Sequence, residues 1–459
     1  MPPGRHKRKL HPASITNGLI HAQAGNLKRK NSSILLSYGT KCTNCDNTLF
    51  MSSFLASASI LQILPALKQG GVERGTIEMA QAITQAGGKA LVISAGGRME
   101  PLLRHSGAEH ITLPDCGSRN PLKIAKNSRF LSNIIRQYNV QLVHARSRAP
   151  AWVAKTACKR TQTPFVTTWH GVHANSFPGK RQYNAVLASG DRVIAISNHI
   201  AQRLSEEYHV GPDRLRIIPR GADTDQFSPQ VVSGQRVHRL VEAWALPADA
   251  PVILMPGRLT AWKGQSLVLD ALAELLARLP DMNWHCVFAG ECAPHDKYAQ
   301  ELSTKASQLG LTDHVRFAGH CDDMPAAMML ANMVVVPSLR PEPFGRVVVE
   351  AQAMCCPVIV AHHGAAVETV TSGQTGFSFS PGNASELAQA IHDVLVAPPD
   401  ILETIGHAAR QMVLSHFSTA AMQHATLAVY DELLGSTLAE RFAEIKNDPA
   451  LFQEPMLAG

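Results

Sequence analysis

The run Ser338-Leu339-Arg340-Pro341-Glu342-Pro343-Phe344-Gly345-Arg346-Val347-Val348-Val349-Glu350 follows an apolar β-type stretch at 333–336 and leads into a helix-compatible segment. It carries two carboxylates, Glu342 and Glu350, eight positions apart around a Phe-Gly pair. Were the intervening residues helical throughout, a rise of about 1.5 Å per residue would separate the two acids by roughly 12 Å. Paired acids that hydrolyse glycosides stand only about 5 to 9.5 Å apart. The spacing therefore suits a grip on opposite ends of one elongated ligand. Amides of the first turn, near Phe344 to Val347, point outward with the positive end of the helix dipole, a setting for phosphate. Hydroxyls at both ends with phosphates between them describe a nucleotide sugar.

A second motif precedes it in the same half: Met255-Pro256-Gly257-Arg258-Leu259-Thr260-Ala261-Trp262-Lys263-Gly264. A strand ends, glycine lets the backbone turn, and two cations follow five positions apart. Arg258 can fork two phosphate oxygens, and Lys263 offers a movable point charge. Together they can neutralise a diphosphate leaving group without a metal. An isolated pair of this kind is more often two solvated surface cations; the Glu-x7-Glu segment downstream weighs against that here.

Around these motifs the chain alternates short β-rich runs with amphipathic stretches, the pattern of parallel βα units. Strands are expected at 59–64, 90–94, 110–113, 141–144, 165–168, 193–196 and 216–218, then at 252–255, 284–289, 315–317, 333–336 and 358–361. Residues 224–249 read as less regular. The expected organisation is an N-terminal extension (1–57), a Rossmann-like acceptor domain (58–225) and a linker (226–250). A Rossmann-like donor domain (251–418) and terminal helices (419–459) complete it. Facing open sheets would enclose a ligand cleft at their strands' carboxyl ends. Whether the helical stretch 419–434 crosses back to the first half is left open by sequence.

At 459 residues the chain is long enough for two domains; its apolar content of 45% is ordinary and its 17% of charged residues is low, as expected of a soluble globular α/β protein. The net charge of +7 is partly concentrated at Arg5, Lys7, Arg8, Lys9, Lys28, Arg29 and Lys30. That tail lacks interleaved aromatics, so it reads as solvated or as contacting an anionic membrane or acceptor, and no nucleic-acid partner is expected. Nine scattered cysteines argue against a disulfide framework and for a reducing cytoplasm. Cys42-x-x-Cys45 lacks a second ligand pair for zinc. No run reaches the 18 apolar residues of a membrane span; the nearest candidate, 50–67, is serine-rich and contains Pro65. Residues 1–50 show no sustained periodicity. They are expected to be disordered, or translation begins at Met51; a native peptide from residues 10–40 would exclude the later start.

Further motifs join these: Gly70-Gly71-Val72-Glu73-Arg74, His170-Gly171, Pro219-Arg220-Gly221-Ala222-Asp223, His363-Gly364-Ala365-Ala366-Val367-Glu368 and Thr375-Gly376-Phe377. In this order, with the two motifs above, the chain resembles the retaining GT-B glycosyltransferases of family 4, also called glycosyl transferases group 1, over roughly residues 58–434. The stretches 144–152 and 319–325 are similar to bacterial members acting on lipopolysaccharide or other envelope glycans. The resemblance implies that Arg258 and Lys263 bind the donor pyrophosphate, Glu350 the ribose, and Glu342 the sugar hydroxyls. The Phe344, Gly345 and Arg346 amides would lie beside that sugar, with Glu368 near it. His170 would stand in the cleft near the transferred sugar, and Gly71 in a loop that approaches donor or acceptor closely. Arg146 and Arg148 are candidates for an anionic acceptor, or for pairing with acids. Arg220 stands where asparagine is common, and Ala365 where glycine is common.

The expected activity is sugar transfer from a nucleoside diphosphate sugar to an acceptor hydroxyl, retaining the anomeric configuration. His170, Arg258, Lys263 and Glu342 would carry the chemistry. The acceptor would be a glycan or glycolipid, and the setting cytoplasmic, with peripheral contact at the inner membrane. No cofactor or metal is expected: Asp223-Thr224-Asp225 has the Asp-x-Asp form of a metal site but follows a proline-glycine turn. Walker, zincin and nucleophile-elbow motifs are absent. The rival readings are a GT-B-like sugar-nucleotide epimerase, a phosphorylase, and a silent sugar-nucleotide-binding subunit.

Overall fold

The computed structural model describes residues 57–68, 70–173, 179–291 and 297–446. Expectations for the N-terminal extension before residue 57, with Cys42, Cys45 and the basic residues up to Lys30, lie outside the described residues.

The first half is a parallel sheet of β1 (Ser59–Ile63), β2 (Lys89–Ser94), β3 (Glu109–Thr112), β4 (Leu142–Ala145), β5 (Phe165–Trp169), β6 (Arg192–Ala195) and β7 (Leu215–Ile217). Its order is 3-2-1-4-5-6-7. The second half holds β8 (Val252–Pro256), β9 (His285–Ala289), β10 (Val315–Gly319), β11 (Met333–Val336), β12 (Val358–Ala361) and β13 (Phe377–Phe379), in the order 10-9-8-11-12-13. Both are doubly wound orders whose chain direction reverses beside the first strand, where such sheets open a crevice. Central strands such as β8, β11 and β12 are buried along their whole length, because helices cover both faces.

All twelve expected strands are present. The thirteenth, β13, has three residues just beyond Gly376, too short for a periodic signal. Residues 224–249 are more regular than expected, since a helix spans Gly234–Ala243. Its Val237, Leu240, Val241 and Trp244 recur at i, i+3, i+4 and i+7, and the last three join the core. Two contacts, Arg236 Nε to Asp323 Oδ2 (2.8 Å) and Nη2 to Oδ1 (2.6 Å), fix it to the second half.

The helix Thr419–Leu434 does cross back. It starts at Ser418, whose hydroxyl accepts the Ala421 amide. Its Met422, Leu427 and Tyr430 pack with Ile60, Leu64 and Met79 of the first half. The crossing is tight: the Ala222 amide donates to the Phe417 carbonyl and the Thr419 amide to the Ala222 carbonyl, each at 2.8 Å. A Cβ on Gly221 would come within 2.3 Å of the Ser418 carbonyl, so only glycine lets these two connections touch.

Candidate active site

The loop after β8 ends at Gly264, where φ is +89° and the helix Gln265–Arg278 begins. A Cβ there would stand 2.3 Å from the Pro337 carbonyl oxygen, so glycine allows this loop to lie against the chain leaving β11. Across the same seam the Leu339 amide donates to the Trp262 carbonyl at 2.8 Å. The joined loops bring Lys263 to Glu342. Lys263 Nζ donates to Glu342 Oε1 at 2.5 Å, and Ser338 Oγ donates to the same oxygen at 2.6 Å. The Lys263 ammonium also lies 4.4 Å from the Trp262 ring centroid, a cation–π contact. Gly364, at φ +62°, closes over Glu342: a Cβ would meet its amide nitrogen and carbonyl oxygen at 2.7 Å. The neighbouring Ala365 amide donates to that carbonyl at 3.0 Å. Arg258, from the same loop as Lys263, is exposed, and no ion pair engages it among the described residues.

Around Glu350 the geometry differs from a single continuous helix. The helix spans only Arg346–Ala353 and is preceded by Gly345 at φ +82°. Pro343 and the left-handed glycine prevent helical continuation back to Glu342, so the 12 Å estimate does not describe the pair. The Phe344 ring is buried, its centroid 6.0 Å from that of Phe417, leaving only its backbone to border a ligand. Arg346 contributes a side chain as well as an amide. Its Nε lies 3.3 Å from Glu350 Oε1, and its Nη1 lies 3.4 Å from Glu78 Oε1 in the first half.

Glu368 is also engaged with the first half. Its carboxylate accepts the Asn198 and His199 amides, both at 2.8 Å, at the N-terminus of the helix Asn198–Tyr208. Beside it Ser197 Oγ donates to the Pro343 carbonyl at 2.6 Å. These contacts hold the two halves together along one side of the cleft.

From the first half, Gly71 opens the helix Gly71–Gln85, and its carbonyl accepts Arg220 Nη2 at 2.7 Å. His170 follows β5, and its Nε2 is buried without a hydrogen-bond partner. Burial, then the charges of Arg146 and Arg220, hold this imidazole well below its ordinary pKa, so it is neutral. His144 is neutral for the same primary reason; its ring nitrogens pair with Tyr430 Oη and Thr168 Oγ1, each at 2.7 Å. Arg146 and Arg148 part company. Arg146 is 4% exposed in the cleft floor, whereas Arg148 donates to Asn184 Oδ1 at 2.9 Å beside Tyr183. Asp223 accepts the amides of Asp225 (3.2 Å) and Gln226 (3.1 Å), a turn-forming role.

Sequence reasoning missed Glu78, a mid-helix acid without a motif, and the structural part of Arg220. The latter is buried, and its pKa is lowered to about 9, chiefly by burial. No helix among the described residues is long and apolar enough to cross a membrane.

This arrangement can be set beside known proteins. Residues 238–412 match the family "Glycosyl transferases group 1", and residues 69–226 match "Glycosyltransferase Family 4". A crystal structure of a glycosyltransferase from Rickettsia africae is 35% identical, with a TM-score of 0.77, over 83% of this chain and 100% of that one. The chain belongs to the group 1 glycosyl transferases.

Like other structures of these glycosyltransferases, it has the GT-B architecture. The Anabaena HepE protein, solved with UDP and glucose, is 25% identical with a TM-score of 0.70, covering 82% of this chain and 100% of that one. Among curated relatives, D-inositol 3-phosphate glycosyltransferase 2 of Catenulispora acidiphila is 32% identical over 57% of this chain. The match spans 60% of that relative's length.

Proposed function

We propose that this glycosyltransferase moves a sugar from a nucleoside diphosphate sugar to an acceptor hydroxyl, with retention at the anomeric carbon and without a metal. The observation that carries this reading is the 2.5 Å contact between Lys263 Nζ and Glu342 Oε1. A ligand atom that reaches one of these groups is beside the other. A diphosphate on Lys263 and Arg258 therefore sets its attached sugar against the Glu342 carboxylate, and Glu350 faces the ribose end. In a nucleotide sugar, sugar and phosphate are neighbours in the same way. Gly71 and the amides at Phe344, Gly345 and Arg346 line the approach, and Glu368 reaches the sugar side from its place at the seam between the halves.

During transfer the bond between the sugar C1 and the diphosphate oxygen breaks, and negative charge gathers on the departing phosphate. Arg258, Lys263 and the amides after Gly345 oppose it. The acceptor oxygen attacks the same face of C1, and its proton passes to the leaving phosphate oxygen. His170, held neutral, supplies a hydrogen bond near the transferred sugar rather than a charge. Removing one such electrostatic donor lowers rates by about 10²- to 10³-fold.

The acceptor in this reading is a glycan or glycolipid of the cell envelope, met at the cytoplasmic face of a membrane. A relative made by Mycolicibacterium smegmatis, 28% identical over 62% of this chain, is a GDP-mannose-dependent phosphatidylinositol monomannoside mannosyltransferase, which supports that choice.

A thermal-shift screen of UDP-, GDP- and ADP-sugars, with and without EDTA, tests the donor. A ligand at 100 times its dissociation constant adds about 2.7 kcal/mol. One donor class is expected to stabilise the protein equally with EDTA present, and NMR of the product is expected to show the donor's anomeric configuration. Stabilisation by none, or its loss with EDTA, or an inverted product, contradicts the corresponding part of the reading.

A further inference from the structure

The floor of the cleft carries more positive than negative charge, and part of it lacks partners. Glu78, on the helix Gly71–Gln85, is approached by three guanidinium groups: Arg346 at 3.4 Å, Arg220 at 3.7 Å and Arg74 at 3.8 Å. Arg146, 4% exposed, also feels this carboxylate, together with the Tyr430 hydroxyl. Glu350 pairs with Arg346 and acts on Arg220 from farther away, as Asp223 does on Arg346. Four guanidinium groups thus share two nearby carboxylates, and the two histidines facing them, His144 and His170, are neutral.

Several polar atoms here are buried without hydrogen-bond partners: Arg146 Nε, Arg346 Nη2 and His170 Nε2, while Arg346 Nε has only its 3.3 Å ion pair with Glu350. The unpartnered acceptor is Glu78 Oε2, and Arg220 Nη2 stands 3.7 Å from it. Joining those two would leave Arg146 Nε and Arg346 Nη2 still unmet. Each buried donor left unpaired costs about 1–3 kcal/mol, and more when charged. Room exists beside the cluster: a Cβ built on Gly71, whose carbonyl holds Arg220, meets no atom within 4 Å.

We propose that this cluster binds a phosphate monoester on the acceptor, at a place separate from the donor diphosphate. The inference rests on the glycosyltransferase reading and names the acceptor's class: a polyol carrying a phosphoryl group next to free hydroxyls. A phosphate dianion presents three terminal oxygens and about two negative charges, which suits forked donors from several guanidinium groups. Its position favours the acceptor over the donor. Arg146 and Arg220 come from the first half, beside His170, while Arg258 and Lys263 lie on the loop after β8. Such a phosphoryl group occurs in soluble polyol phosphates and in phosphorylated inositol headgroups of lipids alike.

Calorimetric titration of the full chain tests this. The probes are glycerol and myo-inositol, their monophosphates, and phosphatidylcholine vesicles with or without phosphatidylinositol 4-phosphate. Nucleotide diphosphates are titrated in parallel. A phosphorylated polyol, free or in vesicles, is expected to bind at least about tenfold tighter than its unphosphorylated form. Arg146→Gln should remove that preference and leave nucleotide affinity within about twofold, while Arg258→Ala should do the reverse. Arg220→Gln serves as a second cluster variant should Arg146→Gln fail to fold, with circular dichroism checking both. Preference for the soluble or the vesicle form identifies the source, and either supports the proposal. Nucleotide binding with no preference for phosphorylated polyols overturns it, as does competition between polyol phosphate and nucleotide diphosphate for the Arg258 site. Absence of nucleotide binding would instead strike the function reading.

Discussion

The two halves repeat one sheet topology but treat charge in opposite ways. In the second half the cation and acid proposed for the donor, Lys263 and Glu342, are paired at 2.5 Å, and Arg258 on the same loop is exposed. In the first half, Arg146 and Arg220 are 4% and 5% exposed, and His144 and His170 are kept neutral by burial. The pairing in the second half depends on close backbone approach between loops, and the neutrality in the first half on exclusion of water. One fold thus sets a paired cation and acid beside an exposed arginine on one side and a buried polar floor on the other.

The largest expected effect breaks the loop approach. Gly264→Ala would place a Cβ 2.3 Å from a carbonyl at φ +89°. The left-handed conformation costs about 1–2 kcal/mol and the overpacking about 1–3, so urea unfolding should show a loss of about 3 kcal/mol. Next comes Glu342→Ala, which strands Lys263 and Ser338; a loss of about 2–3 kcal/mol is expected, recovered in part when Lys263 is also replaced. In the first half, Tyr430→Phe leaves His144 Nδ1 without its partner and loosens the returning helix, for about 1.5 kcal/mol by the same measurement.

The smallest effect is a pH dependence. Burial lowers the His173 pKa to about 4. Below its ordinary value near 6.5, the unfolded chain takes a proton that the folded chain refuses until about pH 4. Stability should therefore fall as pH drops through that window and lose nothing further from this group below it. Between pH 7 and 5.5 the fall is about 1 kcal/mol, and His173→Gln should remove that share. A pH-independent difference between variant and parent would show that burial does not govern this side of the cleft.

Much of the fold was legible because buried parallel strands are written as apolar runs, such as Met333-Val334-Val335-Val336. The helix at Gly234–Ala243 was legible in principle through its i, i+3, i+4, i+7 apolar spacing, but charged residues between those positions masked it. Lys263 and Glu342 were recognisable as residue types in motifs. Their direct contact was not, because it depends on Gly264 and Gly364 each meeting backbone from another loop. Glu78 and the side chain of Arg346 were missed for a different reason. Helical periodicity cannot tell an acid facing water from one facing arginines of another domain, and Arg346 was valued for its amide alone.

The most direct test of the central claim is the kcat for sugar transfer by Lys263→Ala, measured with the donor that stabilises the parent protein and with folding verified by circular dichroism. A diphosphate clamp at this residue predicts a fall of about 10²- to 10³-fold. Turnover near that of the parent would contradict it.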